Sequence, residues 1–197
     1  MKAEKRGAGA RREARQGAAH AGGGPVVEAA SLGALLLFGA LAIAASLAPM
    51  PVRFAPDLLF CVLAVWAVRR PNSTPALAVF ALGLARDLLS GAPAGAGALG
   101  LLIAVEGLRV ARPPRAGEGL RGWLPVWGVV GAWAAAPAVV PWALLTVTFA
   151  PAPAFADIAL RYAATVVAFP LAAVALAWAA PVENSSPDAR ALIGGGA

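Results

Sequence analysis

Twenty consecutive residues, Ala29 to Ala48, carry no charge, and as a helix they are long enough to cross about 30 Å of hydrocarbon. The run is longer than a secretory h-region, and Pro49 directly follows Ser46-Leu47-Ala48, where cleavage would fall. It therefore reads as a retained first span. The whole chain shares its character, with 60% hydrophobic and 13% charged residues, about half the charge of an average soluble domain. The expectation is an all-α integral membrane protein. Residues 1–28 form a disordered basic cytoplasmic tail, 29–180 a transmembrane helical domain, and 181–197 a flexible C-terminal tail.

Prolines and arginines divide the rest. The loop Pro49–Pro56 cannot stay helical. Leu58–Val68 and Pro75–Leu89 are short for spans and flank the basic turn "RRPNSTP". Ala96–Val105 continues through Glu106 to Arg109. Trp123–Phe149 is long and interrupted by Pro125, Pro137 and Pro141, and Ala163–Ala180 is the last span. This gives a bundle of about six transmembrane helices with both termini cytoplasmic. Five are possible if the two short segments form one re-entrant unit. Six spans put thirteen of the 16 basic residues inside, leaving Arg53, Arg86 and Arg161 outside, as the positive-inside rule requires.

The net charge of +6 thus serves orientation. No aromatic residues interleave with the basic tail, so a stacking platform for nucleic acid is missing. The single cysteine, Cys61, lies in an apolar run, and the single histidine, His20, lies in the tail. Neither a disulfide within one chain nor a metal-ligand cluster can be built from them. No nucleophile–base motif or phosphate loop occurs, so no catalytic residue and no cofactor is expected. Ser46, Ser90, Thr146, Thr148 and Thr165 read as helix-packing hydroxyls.

The topology gathers Arg53, Asp57, Arg86, Asp87, Asp157 and Arg161 at the outer interface, either as helix-end ion pairs or as a polar docking surface. In "GLARDLLSGAPAG" (83–95), Arg86 and Asp87 point about 100° apart on a helix. Gly83, Asp87, Ser90 and Gly91 share one face where a neighbouring helix can approach closely, which makes Asp87 the buried acid. Val79, Leu82, Arg86 and Leu89 make a second face suited to lipid, with Arg86 snorkelling to headgroups. "GAPAGAG" then ends the helix and turns the chain. Glu106 is an intramembrane acid within reach of Arg109 at i+3, readable as an ion pair or as a proton or substrate site.

Three elements, "PDLLFCVLAVWAVRRP" (56–71), "GLARDLLSGAPAG" and "ALGLLIAVEGLR" (98–109), together resemble the rod shape-determining protein MreD family. The Gly-Leu-x-x-Asp-Leu-x-x-Gly-x-Pro-x-Gly pattern falls on Gly83, Leu84, Asp87, Leu88, Gly91, Pro93 and Gly95. The two tails are not part of that pattern. The resemblance implies a non-enzymatic component of the bacterial inner membrane in the cell-elongation machinery. It would bind an MreC-like periplasmic protein and help couple MreB filaments to peptidoglycan synthases. The family also resembles the six-helix substrate-binding subunits of vitamin transporters, which leaves a small-solute binder as the alternative. A polar cavity would favour that alternative, and a closely packed apolar core would favour a scaffold.

Overall fold

A computed structural model describes residues 24–48, 55–70, 74–111 and 120–179. Of the expected 1–28 tail, residues 1–23 lie outside the described residues while 24–28 are helical; residues 180–197, with the whole expected 181–197 tail, and Arg53 and Ser73 also lie outside them. Every element in the described parts is a helix: α1 Gly24–Leu47, α2 Leu58–Arg69, α3 Ala76–Ser90, α4 Ala96–Ala111, α5 Leu120–Trp133, α6 Ala136–Val147 and α7 Phe155–Ala179. Three stretches are long and apolar enough to cross a membrane: Ala29–Leu47, Gly122–Val147 and Phe155–Ala179. The chain is an all-α membrane protein. Two starts differ from expectation. Helix α1 begins at Gly24, ahead of the uncharged run, and α7 begins at Phe155, which brings Asp157 and Arg161 into its first two turns.

Helices α5 and α6 together make the span expected over 123–149. It breaks at Ala134-Ala135, just before Pro137 at the start of α6. That is where proline, lacking an N–H, is tolerated. Three contacts set the relative direction of α5 and α7. Trp123 packs on Phe169, the indole N–H of Trp127 donates to the Val166 carbonyl, and the Tyr162 hydroxyl donates to the Gly131 carbonyl. Rising numbers on α5 meet falling numbers on α7, so the two helices run antiparallel. Helix α1 packs against α2, with the Trp66 indole N–H donating to the Ser31 hydroxyl and its ring tilted against Phe38.

At the centre is α2. All nine residues from Leu59 to Ala67 are buried, the all-round burial of a helix with no polar face. Helices α1, α4 and α7 surround it. Helix α4 in turn lies between α3 and α6, and small residues set those distances. A Cβ on Gly83 would stand 2.6 Å from the Ala98 Cα, and one on Gly100 would stand 2.9 Å from the Pro137 Cα. Lipid is as apolar as leucine, so such close packing, and not water exclusion, holds helices together in a bilayer.

Helix α2 is also short. Its 12 residues span about 18 Å at 1.5 Å each, well short of the hydrocarbon thickness. An end of α2 must therefore lie within the bundle, where its first N–H groups have no water to meet them.

Candidate functional site

Asp57 resolves that problem. As N-cap of α2 its carboxylate accepts from the Phe60 N–H at 3.1 Å, the arrangement that N-cap residues favour. Its own N–H donates to the Thr165 hydroxyl of α7 at 2.9 Å, and that hydroxyl donates to the Arg161 carbonyl at 2.8 Å. Asp57 is only 6% exposed, and a buried carboxylate needs a counter-charge. Arg86 of α3 supplies it, with Nη1 2.6 Å from Oδ2. The other guanidinium nitrogen lies 3.7 Å from Oδ1 of Asp87.

Asp87, 2% exposed, carries the network into a second helix start. Its Oδ2 accepts the N–H groups of Gly95 at 3.1 Å, Gly97 at 2.9 Å and Ala98 at 3.1 Å. One carboxylate thereby satisfies the donors opening α4 and faces the positive end of that helix's dipole. Gly91, in the left-handed region at φ 69°, closes α3. Gly95 turns the chain into α4 at φ 92°. Gly97 makes room: a Cβ there would collide with Asp87 Oδ1 and Arg86 Nη2.

The residues singled out in the sequence divide into those the fold buries or bends around and those it leaves at the surface. Gly83, Asp87, Gly91 and Gly95 sit where a close approach, a buried acid and two left-handed turns need them. Ser90 is exposed and its hydroxyl donates to the Asp87 carbonyl at 3.2 Å, and Pro93 is exposed in the turn. Neither buries against a neighbouring helix. Arg86 departs from its expected lipid-facing place. It is 8% exposed and shares a buried face with Val79 and Leu82, while Leu89 alone of that set is exposed. The reason is Asp57: a buried carboxylate draws the guanidinium inward more strongly than headgroups draw it outward. Arg161, half-exposed, approaches Asp57 Oδ2 at 3.9 Å. Asp157 is exposed and forms no ion pair among the described residues.

Glu106 stands apart, towards the other end of α4. It takes a 2.6 Å bond from Arg109 Nη1, and its side chain is 44% exposed. Thr146 and Thr148 donate to carbonyls of their own helix turn. Three participants, Gly97, Ala98 and Thr165, carry no mark of their role within their own helices. The capping role of Asp57 is a further one the sequence reading missed, although an Asp directly before an apolar run is a signal for it.

Above Arg86 and Asp87 opens a vestibule of about 360 Å³, bordered by the ends of α1, α3, α4, α6 and α7. Its walls include Leu47, Pro141, Trp142, Leu145 and Ile158, and Arg161 stands at its edge.

Over residues 30–110 the chain matches the model of a family described as rod shape-determining protein MreD. The match covers α2, α3, α4 up to Val110 and the residues Asp57, Arg86 and Asp87, but not Thr165 or Arg161 of α7, and it bears out the resemblance read from the three sequence elements. A membrane protein of rod-shape determination is the role this supports. No curated protein and no solved structure matches the chain.

Proposed function

From this similarity to MreD over residues 30–110 we propose that the chain is a multi-pass scaffold of the bacterial inner membrane, without catalytic activity of its own. It binds an MreC-like periplasmic protein and helps couple MreB filaments to peptidoglycan synthases. The observation that carries the reading is the ion network at one end of the bundle. Asp57, Arg86 and Asp87 tie the starts of α2 and α4 to the end of α3, with Thr165 adding α7. In the six-span orientation that end faces outward, so four helix ends are held in fixed positions where a periplasmic partner would meet them. Asp57, Asp87 and Arg86 are buried and each is paired or hydrogen-bonded within the bundle, which suits a rigid platform better than proton relay or catalysis.

The test replaces Asp87 in the full chain. Asp87→Leu leaves three N–H groups at the start of α4 without their acceptor, and Asp87→Asn keeps a carbonyl oxygen in place. Recovery of the periplasmic partner from solubilised membranes is expected to fall in Asp87→Leu at unchanged membrane insertion, with Asn intermediate. Full recovery of the partner and normal cell shape in Asp87→Leu would overturn the reading. The small-solute alternative has one observation in its favour, the vestibule. The bundle interior below it is filled by the apolar face-to-face packing around α2, which favours the scaffold.

A further inference from the structure

The vestibule has an electrostatic asymmetry that the network does not use. Each aspartate already answers a helix N-terminus: Asp57 caps α2 and Asp87 caps α4. Helix N-termini carry about half a positive charge each. The two arginines balance the two carboxylates, and the starts of α2 and α4 are offset by the C-termini of α1 and α3 at the same end, so the asymmetry lies in how unevenly the two cations are paired. Arg86 is held by Asp57 at 2.6 Å, and Arg161 is the loosely held cation. Its side chain is 54% exposed, and its ion pair with Asp57 is long, at 3.9 Å. Asp157, one turn earlier on α7, is not among the residues lining the vestibule.

Beside this cation the wall is apolar. Leu47, Pro141, Trp142, Leu145 and Ile158 come from three helices, and the volume of about 360 Å³ is at the lower end of what ligand pockets use. A free inorganic anion would leave that wall unused. A partner's apolar segment would leave Arg161 unanswered. An amphiphile satisfies both, with its phosphate at Arg161 and the start of its acyl chain against Trp142 and Leu145. From the combination of a half-exposed, loosely paired cation and an apolar wall at one bundle end, we infer that the vestibule is a binding site for the phosphate headgroup of an anionic lipid. In the six-span orientation the lipid is one of the outer leaflet. Such a site belongs to the isolated chain and needs no partner, so it stands or falls independently of the scaffold role.

The experiment uses the purified full chain in detergent. Phosphatidylglycerol, its phosphate-free counterpart diacylglycerol, and inorganic phosphate are added in turn, and bound molecules are counted by native mass spectrometry. One phosphatidylglycerol is expected to be retained, diacylglycerol is not, and inorganic phosphate does not displace the lipid. Arg161→Gln, at an exposed position outside the buried pair, is expected to weaken retention about fivefold, the worth of one cation at a lipid surface. Arg161→Lys restores most of it. Ala138→Trp, which fills the vestibule from α6 and keeps both arginines, abolishes it. Retention unaltered by Arg161→Gln or by Ala138→Trp overturns the proposal, as does displacement by inorganic phosphate alone. Loss of the periplasmic partner in Ala138→Trp with lipid retention unchanged would make the vestibule a protein-docking site, and would equally overturn it.

Discussion

Adding one methyl group at Gly97 should do more harm than most larger changes in this chain. The position lies in the first turn of α4, and a Cβ there collides with Asp87 Oδ1 and Arg86 Nη2 and lies 3.1 Å from Asp87 Cγ. These are ends of side chains, which ordinarily move aside. Here they are pinned: Asp87 by three N–H groups at the start of α4, and Arg86 by Asp57 at 2.6 Å. Relief requires the carboxylate to retreat from the helix start. A hydrogen bond to a charged group contributes about 1.5–3 kcal/mol, so losing roughly two costs about 3–6 kcal/mol. Alanine returns at most about 1 kcal/mol of helix propensity. The net expectation for Gly97→Ala is a loss of about 2–5 kcal/mol. Gly33→Ala is the matched control, because a Cβ on Gly33 meets nothing within 4 Å and the same propensity gain applies. Reversible unfolding of both variants in detergent, tracked by circular dichroism, makes the comparison. If Gly97→Ala proves as stable as Gly33→Ala, the carboxylate is not held as described.

The same geometry sets two further outcomes. Gly91→Ala should cost about 1–2 kcal/mol, the penalty of the left-handed conformation alone, because the space around Gly91 is open; it should therefore destabilise less than Gly97→Ala in the same unfolding assay. The orientation is tested by Ser73→Cys. Cys61, the one native cysteine, is fully buried, so an impermeant maleimide reports the new thiol, which should react only from the cytoplasmic side; reaction from outside would reverse the bundle.

How far the sequence could be read depends on the scale at which each feature is encoded. Apolar run lengths set the helices, and their order came through because charge is excluded from hydrocarbon. Helix starts were harder. Helix α7 begins at Phe155 and not at Ala163, because Asp157 and Arg161 sit at its exposed end where charge is tolerated and so leave no boundary in the pattern. Within the site, the reading of Asp87 as an inward acid came from its own helix face. Arg86 defeated the same reasoning. Its inward position is dictated by Asp57, 29 residues earlier, and nothing in α3 records that partner. Gly97 is similar: its importance comes from the side chains opposite it, and in sequence it is one glycine in "GAPAGAG". Periodicity along one helix reports which face turns inward. It does not report which buried charges will meet across helices.

Asp57 and Arg86 act as one buried pair on which the end of the bundle depends. A double-mutant cycle with Asp57→Asn and Arg86→Gln tests this pairing most directly, read as unfolding free energy in detergent and as recovery of the periplasmic partner. Asparagine keeps the cap on α2, so the cycle isolates the pairing of charges. Each single variant leaves a buried charge with only a longer ion contact, Arg86 with Asp87 at 3.7 Å or Asp57 with Arg161 at 3.9 Å, and should lose about 3 kcal/mol, the lower end for breaking a buried pair. The double variant should lose far less than the two combined, giving a coupling of at least about 1.5 kcal/mol, with partner recovery tracking stability. Additive losses would contradict the account, because two residues that do not depend on each other cannot be the clamp.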